Sequence, residues 1–411
     1  MPITIINSIA SWILKKRIHQ IELFTKYPIE VQEEILFGLL RSAENTVLGK
    51  KYEYSSIKNY QTFNERIPVS TYEELEPFIE QTRQGAQNIF WNSNIKYFAK
   101  SSGTTNAKSK FIPVSSEALD NNHYKASKDL LCMYLNNNED SQLFTGKSLR
   151  LGGSKELYEN NNTFFGDLSA ILIDNMPMWA EFSSTPSNKT SLMSDWEIKL
   201  PAIIKESSLE NVTSLAGVPS WMMVLLNKTL EENKKTNILE IWPNLEVYFH
   251  GGVSFDPYKE QYKKLFPKFD FKYYEIYNAS EGFFALQDRN DSNELLLMLD
   301  YGIFYEFIPM DTFGKEDQKV IPLSEVEIGK NYALVITTNS GLWRYLIGDT
   351  IRFTSLNPFR IKVTGRTKHH INVFGEELMV ENTDSALAKT CAALNCEILD
   401  YTVAPIFMDG K

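Results

Sequence analysis

The sequence predicts an α/β fold. A large N-terminal domain of mixed sheets and helices is expected over residues 1–370, and the hinge and start of a small α/β C-terminal domain over 371–411. Three observations lead there. Residues 1–90 carry apolar positions at helical spacing, as in Val31 to Leu40. Residues 95–370 mix short apolar or aromatic runs with longer helix-like stretches. The 411 residues, 43% of them hydrophobic, can bury a large core of more than one layer.

Taken in order, Ile5, Ile9, Trp12 and Ile13 share one helical face, expected to pack on the body of the protein. Pro28 suits a helix start. Ile95 to Ala99 and Phe111 to Val114 read as strands flanking a loop, and Glu117 to Leu135 as a helix. Asn136 to Asp140 and Asn160 to Asn162 read as polar loops. Trp196 to Lys205 and Ser220 to Asn233 read as helices, and Leu245 to Phe249 as a short strand feeding His250-Gly251-Gly252. The aromatic run Phe269 to Tyr274 reads as a buried strand. Tyr332 to Thr338, the turn Asn339-Ser340-Gly341, and Leu342 to Asp349 outline a hairpin.

Three segments carry chemistry. The first, Ser101-Ser102-Gly103-Thr104-Thr105-Asn106-Ala107-Lys108-Ser109-Lys110, sets four hydroxyls around one glycine with two lysines after it. Such a loop can offer backbone N–H groups, hydroxyls and positive charge to a polyphosphate. It is equally the composition of a plain solvated loop. Neither the Walker A pattern nor a Rossmann fingerprint is present.

The second, Glu275-Ile276-Tyr277-Asn278-Ala279-Ser280-Glu281-Gly282, is a strand end opening into a turn. A carboxylate there can hold Mg²⁺ beside phosphate oxygens, and Tyr277 offers a flat ring to a base; otherwise it is a turn after a core strand. The third ends in Gly348-Asp349. Aspartate at a strand end can accept hydrogen bonds from a ribose diol, or simply cap the turn.

The order of these boxes resembles the auxin-responsive promoter (Gretchen Hagen) family of acyl acid amido synthetases, within the adenylate-forming enzymes of the luciferase-like fold. Leu48 to Tyr52, Arg66 to Leu75, His250 to Phe255 and Gly365 to Thr367 extend the resemblance, in order, over nearly the whole chain, here taken as a bacterial-type member. The resemblance implies a ligase. ATP and a small carboxylic acid form an acyl-adenylate and pyrophosphate, and the amine of an amino acid then displaces AMP. It further implies that Ser101, Ser102, Gly103, Thr104 and Thr105 hold the β- and γ-phosphates, with Lys108 and Lys110 assisting or lying free on the surface. Tyr277, Gly251 and Gly252 would flank adenine, and Ala279 would line the nucleotide site. Ser280 would contact the α-phosphate, Glu281 would bind Mg²⁺, and Asp349 and Arg366 would hold the ribose. Ser102, Lys108, Ser280 and Glu281 are the expected catalytic residues.

Two positions depart from the family pattern: Ala107 where glycine is common, and Trp343 where tyrosine is frequent. Only about thirty residues follow Gly375 to Glu381, so the C-terminal domain reads as truncated. Acyl transfer to coenzyme A or a carrier thiol, and a nucleotide sensor without catalysis, remain the alternative functions. Trp179, Phe182, Trp221 and Met222 are candidates for the acyl pocket, or plain core.

A net charge of −10 argues against nucleic acid as a partner and makes local cations necessary at an ATP site, with Lys108, Lys110, Arg344 and Arg366 as candidates. Cys132, Cys391 and Cys396 read as buried free thiols of a cytoplasmic protein, and His369-His370 as a solvated hinge. No run reaches the ~18–20 apolar residues of a membrane span. Lys15-Lys16-Arg17 sits on the wrong side of the N-terminal apolar run for a signal peptide.

Overall fold

The computed structural model describes residues 16–101, 109–153, 158–160, 163–367, 371–373, 376–378 and 380–394, with positions 396, 398 and 401. The N-terminal helical expectation holds. A helix over 16–26 is followed by helices Pro28–Ala43, Val47–Lys51, Tyr60–Arg66 and Tyr72–Arg83. Their starts are chemically marked. Pro28 opens the first-named, where its missing N–H costs nothing. Asn59 accepts from Thr62 N–H at 2.8 Å, and Glu74 reaches back to Thr71 N–H at 2.7 Å as half of a capping box. Arg17 anchors the 16–26 helix by pairing with Asp129 at 3.0 Å and Asp300 at 2.6 Å.

Strand β1 (Tyr97–Ser101) pairs antiparallel with β2 (Lys110–Val114), which makes the Ser/Thr-rich segment the connection between two strands, as expected. Strand β3 (Lys147–Arg150) follows the helical stretch 116–137. Strands β4 (Tyr158–Asn160) and β5 (Thr163–Gly166) complete a four-stranded sheet with β1 and β2. The remaining strands of the large sheet are β6 (Ser184–Thr185), β7 (Val212–Gly217), β8 (Val247–Gly251), β9 (Lys272–Ala279), β10 (Gly282–Leu286), β11 (Leu295–Leu297), β12 (Ile303–Pro309), β13 (Ile321–Pro322), β14 (Asn331–Thr338), β15 (Tyr345–Leu356) and β16 (Phe359–Arg366). A two-stranded ribbon, β17 (Ile371–Val373) with β18 (Glu376–Leu378), and a helix Val380–Leu394 follow.

The large sheet runs β13-β12-β14-β15-β16-β11-β10-β9-β8-β7-β3-β6. From β6 to β9 neighbours are parallel; from β9 to β13 they are antiparallel. The change of direction falls at β9. Parallel strands need both faces covered, and β8 is buried along its whole length. One face packs Leu149, Leu215 and Tyr248 against Met222, Leu225 and Leu226 of the helix Pro219–Asn233. The other packs Val247, Phe249 and Tyr274 into the main core. Gln32, buried in helix Pro28–Ala43, donates to the Leu299 and Ile303 carbonyls and accepts from Tyr305 N–H, fastening that helix to β12.

Two expectations need correction. Phe269 is fully exposed in a turn, and β9 begins at Lys272, because Pro267 and the polar Lys268 and Asp270 keep the chain out of the sheet until Phe271. The expected buried thiols reduce to Cys132; Cys396 is exposed and Cys391 half-buried. Of the two readings left open for Met222, core is the one found: it is buried, facing the sheet from its helix. The N-terminal face carrying Ile5 and Trp12, and His369-His370, lie outside the described residues.

Candidate active site

Residues Ser280 and Glu281 form the two-residue turn of the β9–β10 hairpin, whose last pair is Ala279 with Gly282. The turn stands at the carboxyl end of β9, where the parallel half of the sheet stops. Crevices at such edges are where open α/β sheets bind ligands.

Asp349 and Arg366 face each other across β15 and β16, and Arg366 Nε lies 3.0 Å from an Asp349 carboxylate oxygen. The other Asp349 oxygen accepts from the Tyr277 hydroxyl at 2.8 Å. Three strands separate β9 from β15 in the sheet order, so this contact requires the sheet to curl. Burial pushes the Asp349 carboxyl up from the ordinary carboxylate value, while Arg366 and the Tyr277 hydroxyl pull it back.

Glu281 sits nearby with weak partners. Its carboxylate accepts from the Tyr345 hydroxyl at 3.4 Å, and Lys110 Nζ lies 3.4 Å from that same hydroxyl. Burial, reinforced by Asp349, pushes the Glu281 carboxyl up to about 7 against its own backbone N–H, Lys110 and Arg366. No cation among the described residues is in ion-pair contact with this carboxylate, and an enclosed carboxylate in that state is a fitting ligand for a divalent cation. Among the described residues no three His, Cys, Asp or Glu side chains gather. A cation here would complete its shell from phosphate oxygens and water, as Mg²⁺ does.

The base of the Ser/Thr-rich loop, Ser101 paired with Lys110, is brought to this cluster through Lys110 and Tyr345. Ser102, Gly103, Thr104, Thr105 and Lys108 lie outside the described residues. Gly251 ends β8 beside Ile276 of β9, and an added Cβ would lie 2.5 Å from the Ile276 carbonyl oxygen. Gly252 holds φ of +86°, a region side chains rarely adopt. Glycine at 251 is thus demanded by the neighbouring strand. Gly251→Ala is expected to cost about 1–3 kcal/mol of stability through overpacking, read as a lower denaturation midpoint.

The structure brings Tyr277, Ala279, Ser280, Glu281, Asp349 and Arg366 to one edge of the large sheet, where Lys110 of the four-stranded sheet, with Ser101 paired beside it, reaches them through Tyr345. It alters two roles. The Tyr277 ring is buried against Phe284, with centroids 4.9 Å apart, so what it offers the cluster is its hydroxyl. Arg344 is no phosphate ligand: it is 2% exposed and forks onto Glu306 with Nε and Nη2 each at 2.9 Å. Its neighbour Trp343 is likewise core, donating to the Phe90 carbonyl at 3.0 Å. Tyr345, which the sequence reading passed over, touches both Lys110 and Glu281. A ladder irregularity and the positive φ of Gly348 interrupt the alternation between Tyr345 and Asp349, so strand period alone does not reveal it.

The sheet thus carries a carboxylate turn and an Asp–Arg pair at its carboxyl edge. Residues 17–271 match the GH3 family N-terminal domain and residues 296–366 the GH3 family central domain. The chain belongs to the GH3 family.

It is 24% identical over 412 residues to indole-3-acetic acid-amido synthetase GH3.2 of Arabidopsis thaliana, spanning 83% of this chain and 74% of that one. It is 23% identical to jasmonoyl–L-amino acid synthetase JAR4 of Nicotiana attenuata, over 82% and 68%. These are plant proteins and lend the expected bacterial type no support. Its fold is shared with the GH3.15 acyl acid amido synthetase (TM-score 0.77, 17% identity, 93% of this chain and 76% of that one). It is shared also with 2-hydroxyisobutyryl-CoA ligase in the postadenylation state (TM-score 0.57, 14% identity, 87% and 72%).

Proposed function

We propose that this protein uses ATP to activate a small carboxylic acid as its acyl-adenylate and transfers the acyl group to the amine of an amino acid. One observation carries the reading: Glu281 at a hairpin tip, beside the Tyr277–Asp349–Arg366 cluster and the base of the Ser/Thr-rich loop. Family membership gives that cluster its chemical context.

In the first step an oxygen of the acid's carboxylate attacks the α-phosphorus, the bond to the β-phosphate oxygen breaks, and pyrophosphate leaves. Asp349 accepts hydrogen bonds from the ribose diol, and Arg366 holds Asp349 in place. The loop Ser101 to Thr105 cradles the β- and γ-phosphates with Lys108 and Lys110, and Ser280 contacts the α-phosphate. Gly251 and Gly252 border the adenine side. Glu281 would hold Mg²⁺, which would supply charge neutralisation at the phosphates. Catalysis is then alignment and charge stabilisation. In the second step the amine attacks the activated carbonyl, and the carbonyl carbon–oxygen bond to AMP breaks.

We assign this chemistry to residues 1–370 as one adenylation domain, with residues 371–411 as hinge and C-terminal portion, and place the protein in the cytoplasm. No described helix is long and apolar enough to cross a membrane.

The test is acid-dependent exchange of labelled pyrophosphate into ATP over aryl, indole and fatty acids, followed by amino acids or coenzyme A as acceptors. Mg²⁺-dependent exchange with one acid class, and AMP release driven by amino acids, are expected. A protein that binds ATP yet exchanges with no acid refutes the adenylation step; consumption by coenzyme A alone refutes the acceptor. Asp349→Ala is expected to weaken ATP binding by ~1–3 kcal/mol, the scale of a hydrogen bond to a charged group, as titration calorimetry would read.

A further inference from the structure

Arg150 is the last residue of β3, at the carboxyl edge of the parallel half of the sheet. It is level with Ala216 of β7, and the next β7 residue, Gly217, is level with His250 of β8. Two strand spacings, about 10 Å, therefore separate it from the strand that ends in Gly251.

Among the described residues its guanidinium meets no anion. Nη1 lies 3.1 Å from the Met176 sulfur and Nη2 3.5 Å from the Ala180 carbonyl oxygen. Burial pushes Arg150 down to about 10, and among the described residues no neighbouring charge opposes that. The other enclosed arginines differ: Arg344 pairs with Glu306, Arg360 with Asp288, and Arg17 with Asp129 and Asp300. The nearby buried cation, Lys199, is committed to the Gly152 and Gly153 carbonyls at 2.9 and 3.0 Å, where it holds the turn after β3.

A guanidinium stays protonated in proteins, and enclosing it without a counter-charge is costly. A fold gains from that only if an anion arrives. Part of the Arg150 surface stays open to solvent, so a small ligand can reach it. Arginine's planar fork matches a carboxylate in two parallel hydrogen bonds.

We infer that Arg150 binds a substrate carboxylate other than the one being activated. This rests on the reading that acid and amino acid meet in this crevice. The carboxylate has two possible sources: a second acidic group on the acid, or the α-carboxylate of the amino acid.

Wild type, Arg150→Gln and Arg150→Lys would be compared in three arms. The first is pyrophosphate exchange with benzoate against terephthalate and octanoate against suberate. The second is amide formation from alanine against alaninamide. The third is calorimetric binding of terephthalate, suberate and alanine, which needs no turnover.

In one of the first two arms the anionic member should be favoured by ~10-fold or more, the scale of a charge-assisted pair. Arg150→Gln should bring the ratio near one, leave the KM for ATP unchanged and not lower the melting temperature, while Arg150→Lys keeps part of the preference. The arm that responds identifies the source. A preference that survives in Arg150→Gln, none in either arm of the wild type, or a marked loss of stability in the variant overturns the inference. If no acid supports exchange, calorimetry decides. Carboxylate binding lost in Arg150→Gln upholds the anion site while the adenylation reading falls; no binding to wild type overturns the site as well.

Discussion

Glu281→Gln is expected to lower acid-dependent pyrophosphate exchange by ~100-fold or more, the scale on which removing one positioned charge-stabilising group acts. The same variant should be more stable than wild type above pH 7. Glutamine keeps the shape of the side chain but cannot serve as an anionic ligand, so charge on the transferring phosphates goes uncompensated.

The stability gain follows from the carboxyl's burial. Folding raises it from 4.5 to about 7, so the folded chain holds this proton more tightly than the unfolded chain. The proton's stabilising contribution is complete below pH 4.5. It is lost as pH rises through about 7, because only the unfolded chain has released its proton cheaply. At about 1.4 kcal/mol per unit, the penalty above pH 7 is about 1–3 kcal/mol once partial solvent access is discounted. Melting curves of the two proteins should therefore coincide near pH 4 and separate toward pH 8, the variant melting higher. Exchange near the wild-type rate would remove Glu281 from the metal site. Parallel melting curves at every pH would show that its carboxyl is ionised without cost.

Arg344→Met should destabilise the protein by about 3–5 kcal/mol, the cost of stranding a buried partner charge. Glu306 is 1% exposed and meets Arg344 through both carboxylate oxygens, with the Tyr60 hydroxyl donating to one of them at 2.9 Å. Arg344 also donates to the Ile67 and Asn64 carbonyls, tying the segment before Ser70 to the β14–β15 connection. That connection is unusual: Arg344 holds φ of +45°, sustained by the contacts around it.

The discriminating variant is Arg344→Met with Glu306→Leu. Exchanging a whole buried ion pair for apolar groups is often neutral, so the double variant should recover most of the loss. A denaturation series reads both. If Arg344→Met is as stable as wild type and instead weakens ATP binding, the arginine serves the nucleotide after all.

What was legible in the sequence is local. The β1–β2 pair shows through its apolar runs on either side of a Ser/Thr/Gly cluster. The β9–β10 turn shows because Ser280-Glu281-Gly282 interrupts aromatic strands on both sides. The helices 116–137 and Pro219–Asn233 show through their periodicity, since one face must meet the core. The order of the boxes was enough to name the family.

What only the tertiary structure decided is which charge meets which. Arg344 and Arg366 both look like free cations in sequence. One is stacked behind β12 against Glu306, and the other lies across from Asp349, because strand pairing brings together residues far apart in the chain. Tyr277 reaches Asp349 only because the sheet curls over three intervening strands. Arg150 carries no motif at all. It stands out only when the space around its guanidinium is known, since the lack of an anionic partner among the described residues is a property of the fold and leaves no mark on the neighbouring residues.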